Sequence, residues 1–186
     1  MEPSKSYHRP LVTQLPKRPG HKSFWWTRWF FVLHLSTWAI ALDQSIKWWM
    51  RQNIALGEIY NVTPFLDWVH VWNRGISFGL FPCESLWSRS VLGLVTLIFI
   101  GFLVLLCTQS TTTRQRWGSG LMVAGALSNG IDRIFYRGVF DFIRMHWGSW
   151  DFPVFNLADM LITMGFLALL SEHFQWNALR LQKKRH

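Results

Sequence analysis

The sequence predicts an all-α membrane protein, a bundle of four transmembrane helices with a small extracytoplasmic β-sheet, or cradle, after the first helix. Three observations carry that prediction. Half of the 186 residues are hydrophobic, with 13 Trp and 15 Phe, and they are bunched into long runs where a soluble domain would space them periodically. Polar and charged residues break those runs chiefly near their ends. Lys and Arg are distributed unequally between the segments that join the runs.

The chain opens with a basic tail, residues 1–28, in which Lys5, Arg9, Lys17, Arg18, Lys22 and Arg28 face a single acid, Glu2. Such a tail reads as a topology signal that also touches anionic lipid. The first span runs from about Trp29 to Trp49, and about 21 residues at 1.5 Å each match a hydrocarbon core of roughly 30 Å. Ala39-Ile40-Ala41 resembles a leader-peptidase cleavage site, but the apolar run continues past it to Trp48 and Trp49. Asp43 and Lys47 stand at i,i+4 on one helical face. They read equally as an interfacial ion pair or as support for a site.

Residues 51–81 are too polar and broken to span. Phe65–Trp72 and Ile76–Phe81 read as short strands of a sheet, spanning about 54–81, that lies on the membrane surface. The second span is Leu86–Cys107. The third, Trp117 to about Phe135, carries Gly118, Gly120, Ala124, Gly125 and Ala126, which permit close helix approach. A loop over 136–155 leads to the fourth span, Asn156 to about Trp176, and residues 177–186 form a second basic tail. Cys83 and Cys107 fall at opposite ends of a span, so they read as packing residues and not as a disulfide.

Topology follows from the positive charges. With the amino terminus inside, the cytoplasmic segments hold twelve Lys and Arg residues and the outer segments four, namely Arg51, Arg74, Arg137 and Arg144. Both termini are therefore expected in the cytoplasm, with the protein in the cell membrane. The formal charge of +9 is accounted for by these tails, so the expected partners include membrane lipids and exclude nucleic acid.

That orientation gathers Asp43, Lys47, Asn73, Asn129, Asp132, Arg133, Asp141, Asn156 and Asp159 at the outer side. A carboxylate at the centre of a membrane helix costs roughly 3 kcal/mol on insertion scales; acids retained near the ends of spans therefore mark a candidate site. Asp132 adjoins Arg133 and reads as half of a structural pair at a helix end. Asp141 lies between apolar residues in the connecting loop. Asp159 sits near the positive end of a helix, which favours its ionised form; the residues alone leave open whether it or Asn156 is merely the N-cap. Two carboxylates brought together can share one proton, one serving as base toward water and the other as acid toward a scissile amide. Spacing does not itself show that Asp141 and Asp159 meet. The sequence has no serine-nucleophile motif, no HExxH and no Cys-His arrangement, and no metal or other cofactor is expected.

Five ordered motifs carry a family resemblance over about residues 36–172. They are Asp43-Gln44-x-x-Lys47, Asn73-Arg74-Gly75-Ile76-Ser77-Phe78-Gly79, Gly125-Ala126-Leu127-Ser128-Asn129-Gly130-Ile131-Asp132-Arg133, Gly138-Val139-Phe140-Asp141-Phe142, and Pro153-Val154-Phe155-Asn156-Leu157-Ala158-Asp159. In these the chain resembles the lipoprotein signal peptidases (signal peptidase II), membrane aspartyl endopeptidases of bacteria. The resemblance implies that Asp141 and Asp159 form the catalytic dyad, and that Asp43, Lys47, Asn73, Gly75, Asn129, Arg133, Asn156 and Ala158 shape the site or bind substrate. It implies a lipid-modified prolipoprotein as substrate, cut just before the Cys that bears diacylglycerol. One departure stands out: Ala124 and Ser128 occupy positions where the family usually has glycine. Those altered glycines motivate the alternative of a family member that holds lipopeptides without cutting them. A proton-coupled carrier is disfavoured by the lack of an internal repeat.

Overall fold

The computed structural model describes residues 21–75, 86–110 and 112–183. Four helices and a four-stranded antiparallel sheet make up the fold. In order, these are α1 (His21–Asn53), β1 (Ile59–Thr63), β2 (Leu66–Asn73), α2 (Leu86–Gln109), α3 (Thr113–Tyr136), β3 (Val139–Trp147), β4 (Trp150–Asp151) and α4 (Leu157–Lys183). Helix α1 extends beyond the expected first span at both ends, and α4 beyond the fourth at its end. The expected strand Ile76–Phe81 and Cys83 lie outside the described residues.

Helix α3 is the centre of the bundle, packing on α1, α2 and α4. It starts at a reciprocal capping box, in which Thr112 accepts from Gln115 N and Gln115 accepts from Thr112 N. Its small residues then let α4 come close. A Cβ on Gly125 would stand 2.4 Å from the Ala158 carbonyl oxygen, and one on Gly165 would stand 2.4 Å from the Gly118 carbonyl oxygen. Bare backbone at these two contacts is a steric requirement. On the opposite side, Leu103 of α2 is buried with Met122, Val123 and Ala126 of α3, and Cys107 is a buried free thiol, as a packing role requires.

The segment between α3 and α4 is not a plain loop. Residues 139–147 form β3, which pairs with β2 so that Val71 faces Asp141 and Asp67 faces Arg144. Asp141 is thus on a strand, correcting the expected loop. The consecutive buried residues Val139, Phe140, Asp141 and Phe142 show no strand alternation of their own, and the partner that defines β3 lies in β2, some seventy residues earlier in the chain. Its buried face joins Phe140 and Phe142 to Met50 and Ile54 at the end of α1. Arg51 caps that junction with its guanidinium 4.4 Å from the Tyr136 ring centroid. The β3–β4 turn has Gly148 at φ 60°, the left-handed geometry that a two-residue hairpin demands.

Over the described residues, no helix is long and apolar enough to cross a membrane, against the expectation of four spans. In α1, α3 and α4 the cause is visible: Asp43, Lys47, Asn129, Asp132, Arg133, Asp159 and Glu172 lower the average hydropathy of helices whose outward faces are apolar.

Replacing Gly125 or Gly165 by Ala should lower stability by about 1–3 kcal/mol through overpacking. Replacing Gly101, which has nothing within 4 Å of the added carbon, should be neutral. Thermal unfolding in detergent separates the two classes.

Candidate active site

The site is built on a buried ion cluster. Lys47 of α1 is fully buried and donates to Asp43 Oδ2 at 2.8 Å, Asp132 Oδ2 at 2.7 Å and Asn129 Oδ1 at 3.0 Å. An ammonium has three N–H groups, and all three are used. Asp43 also accepts from Ser128 Oγ at 2.6 Å and Ala158 N at 3.0 Å. Asp132 accepts from Gln44 Nε2 at 2.9 Å and Phe140 N at 3.3 Å. Uncompensated charges buried this deeply cost several kcal/mol each; here each one has donors or acceptors around it.

These contacts decide one open reading and correct one expectation. Asp43 and Lys47 form an ion pair that is fully buried in the network around the acids, which favours the reading as support for a site. Asp132 turns away from its sequence neighbour to meet Lys47, while Arg133 donates to the Gly75 carbonyl oxygen at 3.3 Å. A helix places consecutive residues about 100° apart, so adjacent charges face different partners.

Three asparagine amides lie above the cluster, and fixed donors decide how each one points. Lys47 can only donate, so the Asn129 oxygen faces it and the Asn129 NH2 faces Asp159 Oδ1 at 2.8 Å. Asp159 N donates to Asn156 Oδ1 at 3.0 Å, which leaves the Asn156 NH2 for Asp141 Oδ1 at 2.6 Å. Gly75 N donates to Asn73 Oδ1 at 3.2 Å, which leaves the Asn73 NH2 for Asp141 Oδ2 at 3.1 Å. Both carboxylates are thereby held by oriented amide donors.

Asn156 links the two acids directly. It is the N-cap of α4, bonded reciprocally to Asp159, whose Oδ2 accepts from Asn156 N at 3.2 Å. Its side chain simultaneously reaches Asp141. The question left open by the sequence has a double answer: the pair caps the helix and Asp159 still presents Oδ1 to the site. Asp141 and Asp159 both line one cavity of about 560 Å³, together with the polar Asn73, Asn129 and Arg133 and the apolar Val95, Phe99, Ile162 and Met164.

Burial pushes the Asp141 carboxyl up to about 7, and the nearby charge of Asp159 adds to the rise; the Asn73 and Asn156 donors and Lys47 oppose it. At neutral pH Asp141 is therefore poised to keep a proton, as a carboxyl pair sharing one would require.

Residues 35–175 match the family model described as Signal peptidase (SPase) II. The chain belongs to the signal peptidase II family. The lipoprotein signal peptidase of Serratia marcescens is 37% identical over 143 residues, covering 76% of this chain and 84% of that protein. That of Rickettsia canadensis (strain McKiel) is 39% identical over 137 residues, covering 73% and 70%. The fold is similar to a bacterial membrane enzyme solved by the in meso method at 2.3 Å, with TM-score 0.70 and 25% identity over 78% of this chain and 88% of the other. A second such structure, at 1.9 Å, gives TM-score 0.67 and 26% identity, over 76% and 91%.

Among the positions named for this signal peptidase II family member from sequence, Asp141, Asp159, Asn73, Asn129 and Arg133 meet at the cavity, and Asn156 joins the acids. Gly75 orients Asn73, while Ala158 offers its N–H to Asp43 and is fully buried against α3. Gln44 and Ser128 are not among the site residues named from sequence, and Asp132, which is, has Lys47 and Gln44 as partners. Gln44 and Ser128 fall inside quoted motifs, and their buried partners lie on other helices.

Since the folded-state value for Asp141 lies above the ordinary 3.8, the stability it contributes is complete below about pH 4 and is lost as pH rises through about 7. Asp141→Asn imitates the protonated form. Its thermal midpoint should match that of the original protein near pH 4 and exceed it at pH 8; a gap independent of pH would contradict the assignment.

Proposed function

We propose that this protein is a membrane aspartyl endopeptidase that removes signal peptides from diacylglyceryl-modified prolipoproteins, cleaving before the lipidated Cys. In this reading Asp141 and Asp159 share one proton. Asp159 draws a proton from a water held between the carboxylates as that water attacks the scissile carbonyl carbon. Asp141 donates its proton as the tetrahedral species collapses and the C–N bond breaks, leaving a free amine on the Cys. Asn73, Asn129 and Asn156 hold the acids, and Arg133 is placed to contact the peptide. The observation that carries the proposal is Asn156, whose backbone N–H donates to the Asp159 carboxylate while its side-chain NH2 donates to that of Asp141, beside a cavity lined mainly by apolar residues. A diacylated peptide needs such a cavity: an apolar channel for acyl chains next to a hydrolytic pair.

The same apolar character supports residence in a membrane, with the bundle crossing as an assembly. On α2, Leu94, Leu97, Ile98, Phe102 and Leu105 are each more than half exposed, as are Leu33 and Trp38 of α1 and Phe166 and Leu167 of α4. Contiguous apolar surface on this scale is foreign to a soluble monomer. The polar residues that lower helix hydropathy face one another, so lipid would not meet them. Helix α2 carries no charge from Ser90 to Gln109. With the positive charges on the inner side, both termini are cytoplasmic and the acids lie at the outer face.

The test is cleavage of a synthetic lipopeptide whose Cys carries diacylglycerol, followed by mass spectrometry of the new amino terminus. Asp141→Asn and Asp159→Asn should each fold and lose about 10²- to 10⁴-fold in rate. Full activity in either variant sinks the dyad. Lipopeptide bound but left intact by the unaltered protein would favour the non-cleaving alternative.

A further inference from the structure

Lys47 needs one carboxylate for neutrality, yet two fully buried acids meet it. The surplus acid calls for a second reason. Each of the pair also takes a backbone N–H, and the positions of those groups are informative. Asp43 Oδ1 accepts from Ala158 N, the amide just before Asp159, at 3.0 Å. Asp132 Oδ2 accepts from Phe140 N, the amide just before Asp141, at 3.3 Å. One end of the cluster thus grips the start of α4 and the other grips β3, with Lys47 as the rigid link between them.

The geometry points to Asp132 as a positioning residue for the reaction, one that fixes the reach of Asp141 toward Asp159 by anchoring the Phe140 amide. This inference rests on the reading of Asp141 and Asp159 as the reacting pair. Asp132 touches no substrate and acts through β3. Without its acceptor, the buried Phe140 N–H has no carboxylate to hold it, and the strand can shift by a fraction of an ångström. Chemistry that depends on two aligned carboxylates is sensitive to such a shift. Substrate affinity, set along the cavity, is not. Because Asp43 remains to neutralise Lys47, loss of the Asp132 charge leaves no uncompensated ammonium, and the variants should fold.

The experiment compares Asp132→Ala with Asp132→Asn in the full-length protein, using the diacylglyceryl lipopeptide as probe. Asparagine removes the charge but keeps an oxygen for Phe140 N; alanine removes both. The expected result is a fall of about tenfold or more in kcat for Asp132→Ala, with KM within about threefold. Asp132→Asn should retain kcat within about threefold, and both thermal midpoints should stay near that of the unaltered protein. Equal losses in the two variants would make Asp132 a counter-ion and overturn the inference, as would kcat for Asp132→Ala within twofold of normal, or unfolding of either variant. Failure of the unaltered protein to cleave the lipopeptide would sink the peptidase reading itself, a result separate from all of these.

Discussion

The arrangement depends on one buried ammonium. Lys47 sits where α1 and α3 face each other, close to the start of α4, and spends its three N–H groups on two carboxylates and one amide oxygen. A lysine has no acceptor atom, so its presence dictates that Asn129 turn its oxygen inward and its NH2 toward Asp159. The same one-sided logic, supplied by backbone N–H groups, turns Asn156 and Asn73 toward Asp141. Three amides that could each flip without steric cost are held in a single orientation by groups that can only donate.

The rest of the fold keeps that geometry dry and close. Gly125 and Gly165 let α3 and α4 approach at backbone contact, which brings Ala158 N within reach of Asp43. Strand β3 adds Asp141 from a different direction. It is secured on one edge by β2 and on the other by Phe155, whose carbonyl oxygen accepts from both Phe142 N and Ile143 N. A bulge of this kind re-aims neighbouring side chains. Apolar residues then surround the polar centre, and burial raises the Asp141 carboxyl.

Much of this was legible in the sequence, for reasons that can be named. Acids and amides clustered near the ends of apolar runs, and the structure gathers several of them at one cavity. The i,i+4 spacing of Asp43 and Lys47 foretold their contact, because helical neighbours are fixed locally. Family motifs supplied the pairing of Asp141 with Asp159 that spacing could not. What stayed hidden was long-range. Asp132 looked like a partner for Arg133 since nothing local reveals a lysine on another helix, and Ser128 looked like a bulkier glycine until its hydroxyl was found on Asp43. Strand β3 escaped notice because a strand is defined by a partner, and β2 lies some seventy residues away in the chain.

Burial in this architecture should hold the Asp141 proton to a pH well above the ordinary carboxylate range. Infrared difference spectroscopy of the purified protein with isotope-labelled aspartate measures that proton directly. A protonated-carboxyl band should fade as pH is raised through about 7 and be missing when Asp141 is replaced by Asn. A spectrum with every aspartate already ionised at pH 5 to 6 would contradict it.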